Sequence, residues 1–278
     1  MGLLIRAGLL VGVILLSSCA TRGSQSDERL HSTLWVQTSA EYAVAAVQVF
    51  ALAAAQADAA MNDPTWTALP ELQGPGPDLP IAVIADVDET VLDNSAFAAR
   101  NILLDRQYSG ETWADWVREG AADPVPGAVE YLRWLAVQRG VTVFYVTRRE
   151  ASLEAATRAN LSRHGFPLSD TEDTLLMDYE QPDWGSDKNS RRAKIASRYR
   201  VIQLFGDNLA DFMDIPEGAS PKERVRLART AEHMWGSRWF MLPNPIYGDW
   251  EAALMDGLDP AKEEHEALRR KLGELEPT

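Results

Sequence analysis

The sequence predicts an α/β protein built on a doubly wound parallel sheet, with an N-terminal helix and a small helical cap. Three observations carry that expectation. Five short apolar runs, at 81–85, 141–146, 174–177, 201–205 and 239–242, have the length of buried strands. Helical patterns at 129–138, 153–164, 191–199 and 223–234 lie between most of them, the alternation that parallel crossovers require. Acidic residues end the first and fourth runs, and ligands in such sheets bind beyond the carboxyl ends of the strands.

The chain opens MGLLIRAGLLVGVILLSSCA, with Arg6 ahead of an apolar stretch at 7–16. That stretch falls short of the roughly 20 residues a membrane span needs, so residues 1–18 read as a secretory signal. Leu16-Ser17-Ser18-Cys19 resembles a bacterial lipobox, which implies a lipid on Cys19 and a place in the bacterial cell envelope; a plain signal cleaved near Ala20 is the alternative. One acyl chain holds only marginally, at about 0.8 kcal/mol per buried CH₂, so durable attachment needs several. Cys19 is the sole cysteine, and no disulfide supports the fold.

Residues 19–30 read as a polar tether from the lipid, and 31–278 as one domain. Its alanine-rich first helix, 34–61, is interrupted by Glu41, Gln48, Gln56 and Asp58, which argues against a second membrane span, and Asn62-Asp63-Pro64 ends it. A Pro/Gly-rich loop follows at 70–80. Residues 94–126, with Tyr108, Trp113 and Trp116, interrupt the alternation between the first two strands and read as a cap insertion. The stretch 258–275, with Leu268, Leu272 and Leu275 at helical spacing, reads as a terminal amphipathic helix with a face suited to a homodimer.

The formal charge of −14, without a basic stripe interleaved with aromatics, disfavours a nucleic-acid polymer as partner. Lys and Arg gather instead at Arg148-Arg149 and 188–194, which suits a small anionic ligand. No Gly-rich phosphate loop follows the first strand. Acids stand there: Ile81-Ala82-Val83-Ile84-Ala85 runs into Asp86-Val87-Asp88-Glu89-Thr90. One carboxylate can attack phosphorus and a second, two residues on, can protonate the leaving oxygen. Burying such acids is costly without a cation, and Mg²⁺ takes oxygen ligands. The fourth strand ends in Gly206-Asp207-Asn208-Leu209-Ala210-Asp211, which offers Asp207 as a further metal ligand and Asp211 to order a metal-bound water. Thr147 ends the second strand as a hydroxyl donor to a phosphoryl group, and Lys188 opens a helix as a neutralising cation. Glu89 and Asp93 read as supporting or turn residues, and the four histidines have no metal-ligand spacing.

In order, these motifs resemble those of the haloacid dehalogenase superfamily. Asp86-Val87-Asp88-Glu89-Thr90-Val91-Leu92-Asp93-Asn94-Ser95, Gly206-Asp207-Asn208-Leu209 and Leu242-Pro243-Asn244-Pro245-Ile246-Tyr247-Gly248 resemble the class C acid phosphatases, bacterial outer-membrane lipoproteins acting on nucleoside monophosphates and related esters. The resemblance implies Asp86 as nucleophile, Asp88 as acid/base, and Mg²⁺ held by Asp86, the Asp88 carbonyl and Asp207, with Asp211 beside it. It implies a phosphoryl contact from Thr147, and either Lys188 or Arg191 as the cation, since Arg191 stands where the family has a second lysine. Trp113 and Tyr247 match positions that sandwich an aromatic leaving group, and Arg149 is expected at the substrate. Thr147-Arg148 replaces the Ser-Asn pair of the family and leaves Arg148 without an assigned role. A dehalogenase lacks the second acid at the place of Asp88, and a P-type ATPase has threonine there. The competing reading of another class is a non-catalytic nucleotide-binding or adhesin lipoprotein on the same scaffold.

Overall fold

The computed structural model describes residues 27–73, 79–255, 257–258 and 263–275. The expected signal, lipidated Cys19 and residues 19–26 of the tether lie outside the described residues, as do 74–78 of the 70–80 loop. Helices α1 (Arg29–Thr38) and α2 (Ala40–Asn62) precede β1 (Ile81–Ala85). A short antiparallel pair, β2 (Leu92–Asp93) with β3 (Asp123–Pro124), brackets α3 (Ser95–Leu103) and α4 (Gly110–Glu119). Then come α5 (Ala128–Arg139), β4 (Thr142–Glu150), α6 (Glu154–Arg163), β5 (Leu175–Asp178), α7 (Asn189–Ala196), β6 (Arg200–Gly206), α8 (Pro221–Thr230), β7 (Trp239–Met241), α9 (Asp249–Met255) and α10 (Glu264–Gly273).

The five longer strands form one parallel sheet in the order β5-β4-β1-β6-β7. Both faces are covered, which is why these strands are apolar throughout. Alternate residues serve opposite layers. Val83, Ala85, Val143, Tyr145 and Phe205 meet Ala46, Phe50 and Ala53 of α2 and Leu132 and Leu135 of α5. Ala82, Ile84, Phe144, Leu176 and Leu204 meet Ile195 and Ala196 of α7 together with Phe212 and Met234. Phe50, Phe205 and Phe240 stack in a column, with ring centroids 5.6 and 5.2 Å apart. The chain winds outward from β1 through β4 to β5, then crosses back to β6 on the other side of β1. The carboxyl ends of β1, β4 and β6 therefore surround a topological switch point.

The single helix expected at 34–61 is two. Ser39 adopts an extended backbone (φ −85°, ψ 136°), and its hydroxyl accepts from the Tyr42 amide at 3.1 Å, capping α2. That cap outweighs the propensity of the flanking residues to continue as one helix. By length and composition α2 is apolar enough to cross a membrane, a test that core helices also pass. Here Ala46, Phe50, Ala53, Ala57 and Ala60 are buried in the core, and the Gln203 amide donates to the Ala53 carbonyl at 2.8 Å. Within the expected cap, α3 packs on α1, and Trp116 of α4 donates through its indole to Asn94 at 2.8 Å. At the other end α10 packs on α9 and buries Ala267, while Leu272 and Leu275 stay exposed.

Candidate active site

Strand β1 delivers Asp86 to the switch point, and its last rung is fixed by the Asp86 amide donating to the Phe205 carbonyl at 2.9 Å. Directly after Asp88 the chain reverses. Glu89 takes a left-handed conformation (φ 57°), its amide donates to the Leu92 carbonyl at 2.7 Å, and the chain passes into β2 and the cap helices. Strand β6 delivers Asp207, and Asn208 starts a 3-10 turn (Leu209–Asp211) with a reciprocal cap: its amide donates to Asp211 Oδ2 at 2.9 Å. Carboxylate oxygens of Asp86, Asp207 and Asp211 come to lie within 4.8 Å of one another.

Lys188 reaches the same point from the start of α7. Its ammonium donates to Asp86 Oδ1 and, at 2.6 Å, to Asp211 Oδ1, and all three side chains are buried. Burial pushes the Asp86 carboxyl up to about 7, helped by the charges of Asp211 and Asp88 and opposed by Lys188. Burial, with Asp211 and Asp86, also drives Asp207 well above the usual carboxylate range. Burial works against the charge on Lys188, but Asp211 and Asp86 outweigh it and raise its pKa.

One ammonium thus faces three carboxylates, a deficit that a divalent cation would remove. Asn244 donates to Asp207 Oδ2 at 2.8 Å. With Lys188 and Asn208 on the other oxygens, Asp86 Oδ2 and Asp207 Oδ1 are left without a hydrogen-bond donor among the described residues. Hard oxygens in this arrangement fit a divalent metal. The Asp88 carboxylate stands outside the cluster. Arg149 grips it through Nε at 3.1 Å and Nη2 at 2.7 Å, and Asn94 donates to it at 2.9 Å. The acid two residues after Asp86 is thus ion-paired with Arg149 rather than joined to the Asp86–Asp207–Asp211 cluster.

Over residues 18–250 the sequence matches the family model described as HAD superfamily, subfamily IIIB (acid phosphatase). The chain belongs to that family. The class C acid phosphatase of Bacillus anthracis, solved with tungstate bound, is 29% identical with a TM-score of 0.79, over 91% of this chain and 99% of that one. A second structure of that enzyme is again 29% identical, with a TM-score of 0.78, over 91% and 98%. Among curated proteins, the stem 28 kDa glycoprotein of Glycine max is 24% identical over 168 residues, and a stem 31 kDa glycoprotein of the same plant 26%. The alignment covers 59% of this chain and 58% of the length of each of those two relatives.

In this acid phosphatase fold the remaining expected residues divide. Thr147 is fully buried at the bend of β4, and its hydroxyl accepts from the Arg149 amide at 3.1 Å. Arg191 corrects one expectation. It is not a cation at the nucleophile: its guanidinium donates to the carbonyls of Thr147, Gly185 and Asp187 at 2.5, 2.9 and 2.9 Å and pairs with Asp178 at 3.2 Å. Lys188 holds that place. Arg149 corrects another, since Asp88 and the Thr157 hydroxyl occupy its donors and it is buried rather than presented to a ligand. It lies over the Trp113 ring at 5.6 Å, while the Tyr247 hydroxyl donates to Glu89. Trp113 is therefore linked to the Asp88–Glu89 turn through Arg149, and Tyr247 directly through Glu89.

Sequence reasoning gave Glu89 too small a part. It is buried, accepts from the Asn94 amide at 2.7 Å as well as from Tyr247, and is pushed up to about 8 by burial and by Asp88. Asn94 and Asn244 had no assigned role either, although both stand inside quoted motifs. Gly206 is required by contact: a Cβ there would lie 2.4 Å from Asp211 Oδ2. Gly206→Ala is expected to displace Asp211, cost about 1–3 kcal/mol of stability and weaken Mg²⁺ binding about tenfold or more. Urea unfolding and calorimetric metal titration measure the two effects.

Proposed function

We propose that the protein is a Mg²⁺-dependent acid phosphatase of small phosphomonoesters, nucleoside monophosphates foremost, that works through an aspartyl-phosphate on Asp86. The observation that carries this reading is the buried Asp86–Lys188–Asp211 contact with Asp207 alongside. An Asp86 oxygen attacks phosphorus, and the ester oxygen leaves with a proton from Asp88. Asp88, then a carboxylate, takes a proton from water as that water attacks phosphorus, which releases phosphate and restores Asp86. Arg149 keeps Asp88 apart from the metal cluster during both steps. Lys188 neutralises Asp86 and the transferring oxygens, and the Thr147 hydroxyl donates to the phosphoryl group. Asp86 and Asp207, with the Asp88 carbonyl and Asp211 beside them, would hold Mg²⁺, which supplies positive charge to the phosphoryl oxygens. The bound tungstate of the Bacillus anthracis enzyme, an oxyanion in a similar fold, supports the phosphoryl reading.

Phosphate release from AMP and p-nitrophenyl phosphate by protein lacking residues 1–19 tests this directly. Release is expected with Mg²⁺ and not with EDTA. No release from folded protein at acidic to neutral pH would favour a binding lipoprotein instead. Trp113→Ala is expected to raise KM for AMP about tenfold and to leave KM for a small alkyl phosphate nearly unchanged; equal effects would remove the aromatic clamp. The same proposal puts the enzyme in the bacterial envelope through a lipid on Cys19. Mass spectrometry of the membrane-extracted chain, beside Cys19→Ala, tests that placement.

A further inference from the structure

The loop that ends at Lys188 is held by two guanidinium groups. Arg191 of α7 takes the carbonyls of Gly185 and Asp187, and Arg148 at the end of β4 takes the carbonyl between them, donating from Nε to Ser186 at 3.2 Å. Three successive carbonyls directly before the cation thereby each accept from a guanidinium. Arg148 is itself clamped. Its two terminal nitrogens donate to the two oxygens of Asp249, the first residue of α9, at 3.0 and 3.1 Å. A bidentate pair fixes the plane of the guanidinium as well as its position, which a single contact does not. The side chain remains 45% exposed and lines a cavity of about 710 Å³ shared with Lys188, Arg224 and Asp249.

We propose that Arg148, oriented by Asp249, is a positioning residue that fixes the Ser186–Lys188 segment so that the Lys188 ammonium meets Asp86 and an incoming phosphoryl group. The first turn of α9 thereby acts on the reaction through a chain of direct contacts: Asp249 to Arg148, Arg148 to the Ser186 carbonyl, and Lys188 to Asp86. This rests on the phosphatase reading, because it assigns Lys188 a place in the reacting site.

The test measures p-nitrophenyl phosphate turnover and the Kd for inorganic phosphate in the presence of Mg²⁺, by calorimetry, for the wild type, Arg148→Ala, Asp249→Asn and the double variant. Arg148→Ala is expected to lower kcat/KM and phosphate affinity each about tenfold with little change in Tm. Asp249→Asn is expected to shift both in the same direction, and the double variant to be no worse than Arg148→Ala alone. The open cavity admits a small cation, so methylguanidine is expected to restore part of the activity of Arg148→Ala and none of that of Lys188→Ala. Wild-type phosphate affinity and turnover in Arg148→Ala would overturn the inference. So would a loss that follows a fall in Tm and is not rescued, the mark of a merely structural residue. Asp249→Asn carries the decision if Arg148→Ala does not fold. A wild type that binds phosphate without turning over ester would sink the phosphatase reading while the phosphate affinities still decide this one; a wild type that binds no phosphate would sink both.

Discussion

Asp86→Asn is expected to abolish phosphate release, by about ten-thousand-fold or more, and yet to give a metal-free protein that is harder to unfold. The first effect follows from removing the nucleophile. The second follows from the buried setting of that nucleophile. A carboxyl whose pKa rises from 3.8 unfolded to about 7 folded binds its proton more tightly in the native state. Its stabilising contribution is therefore complete below about pH 4 and is lost as pH climbs towards 7. At pH 7.5 an amide removes that liability while keeping an oxygen for Lys188, so the Tm of the metal-free variant is expected to exceed that of the metal-free wild type by about 3–6 °C. Scanning calorimetry at pH 5 and pH 7.5 reads the sign, because the advantage shrinks as pH falls. A variant less stable than the wild type at pH 7.5 would show that Asp86 is needed for the fold rather than strained by it.

Lys188→Met is expected to show the opposite balance at neutral pH. Buried Asp86 and Asp211 and half-buried Asp207 would then stand together with no ammonium among them. Removing one partner from a buried pair costs about 3–5 kcal/mol, which for a chain of this size is a fall in Tm of roughly 10 °C. Acidification protonates the raised carboxyls and recovers part of that loss, and millimolar Mg²⁺ recovers part of it at pH 7.5 by supplying charge in place of the ammonium. Turnover with Mg²⁺ present is expected to stay about a thousandfold low, since Lys188 also faces the transferring oxygens. A metal-free variant as stable at pH 7.5 as the wild type would mean that the three acids are not charged together, and the case for a divalent cation would weaken with it.

Much of the fold could be read from the sequence because a parallel sheet covered on both faces needs strands that are apolar throughout, and such runs are conspicuous. The expected strand at 81–85 coincides with β1, and the other four expected strands differ from the observed ones by a few residues at their ends. The break at Ser39 was also available, as a hydroxyl residue just ahead of Glu41 and a long apolar helix, but the apolar pattern that runs through Leu34 and Val36 into the alanine-rich stretch hid it. The site was legible where chemistry sits at strand ends, as with Asp86 and Asp207. It was not legible where side chains cross between distant segments. Spacing left Lys188 and Arg191 as equal candidates, since both stand near the start of one helix; only the turn of the chain before α7 separates an ammonium at Asp86 from a guanidinium spent on backbone carbonyls. Arg149 and Asp88 are far apart in sequence, so nothing local announces their pairing.

The switch-point geometry has a kinetic side. Asp86 stands on β1 and Asp207 on β6, and everything from the cap through α7 lies between them along the chain. During refolding neither acid meets the other until β6 docks beside β1, so a divalent ion has no assembled site to bind in the early collapsed states. Its grip is expected on the late side of the barrier, where it retards escape from the native basin and leaves the rate of reaching it nearly unchanged.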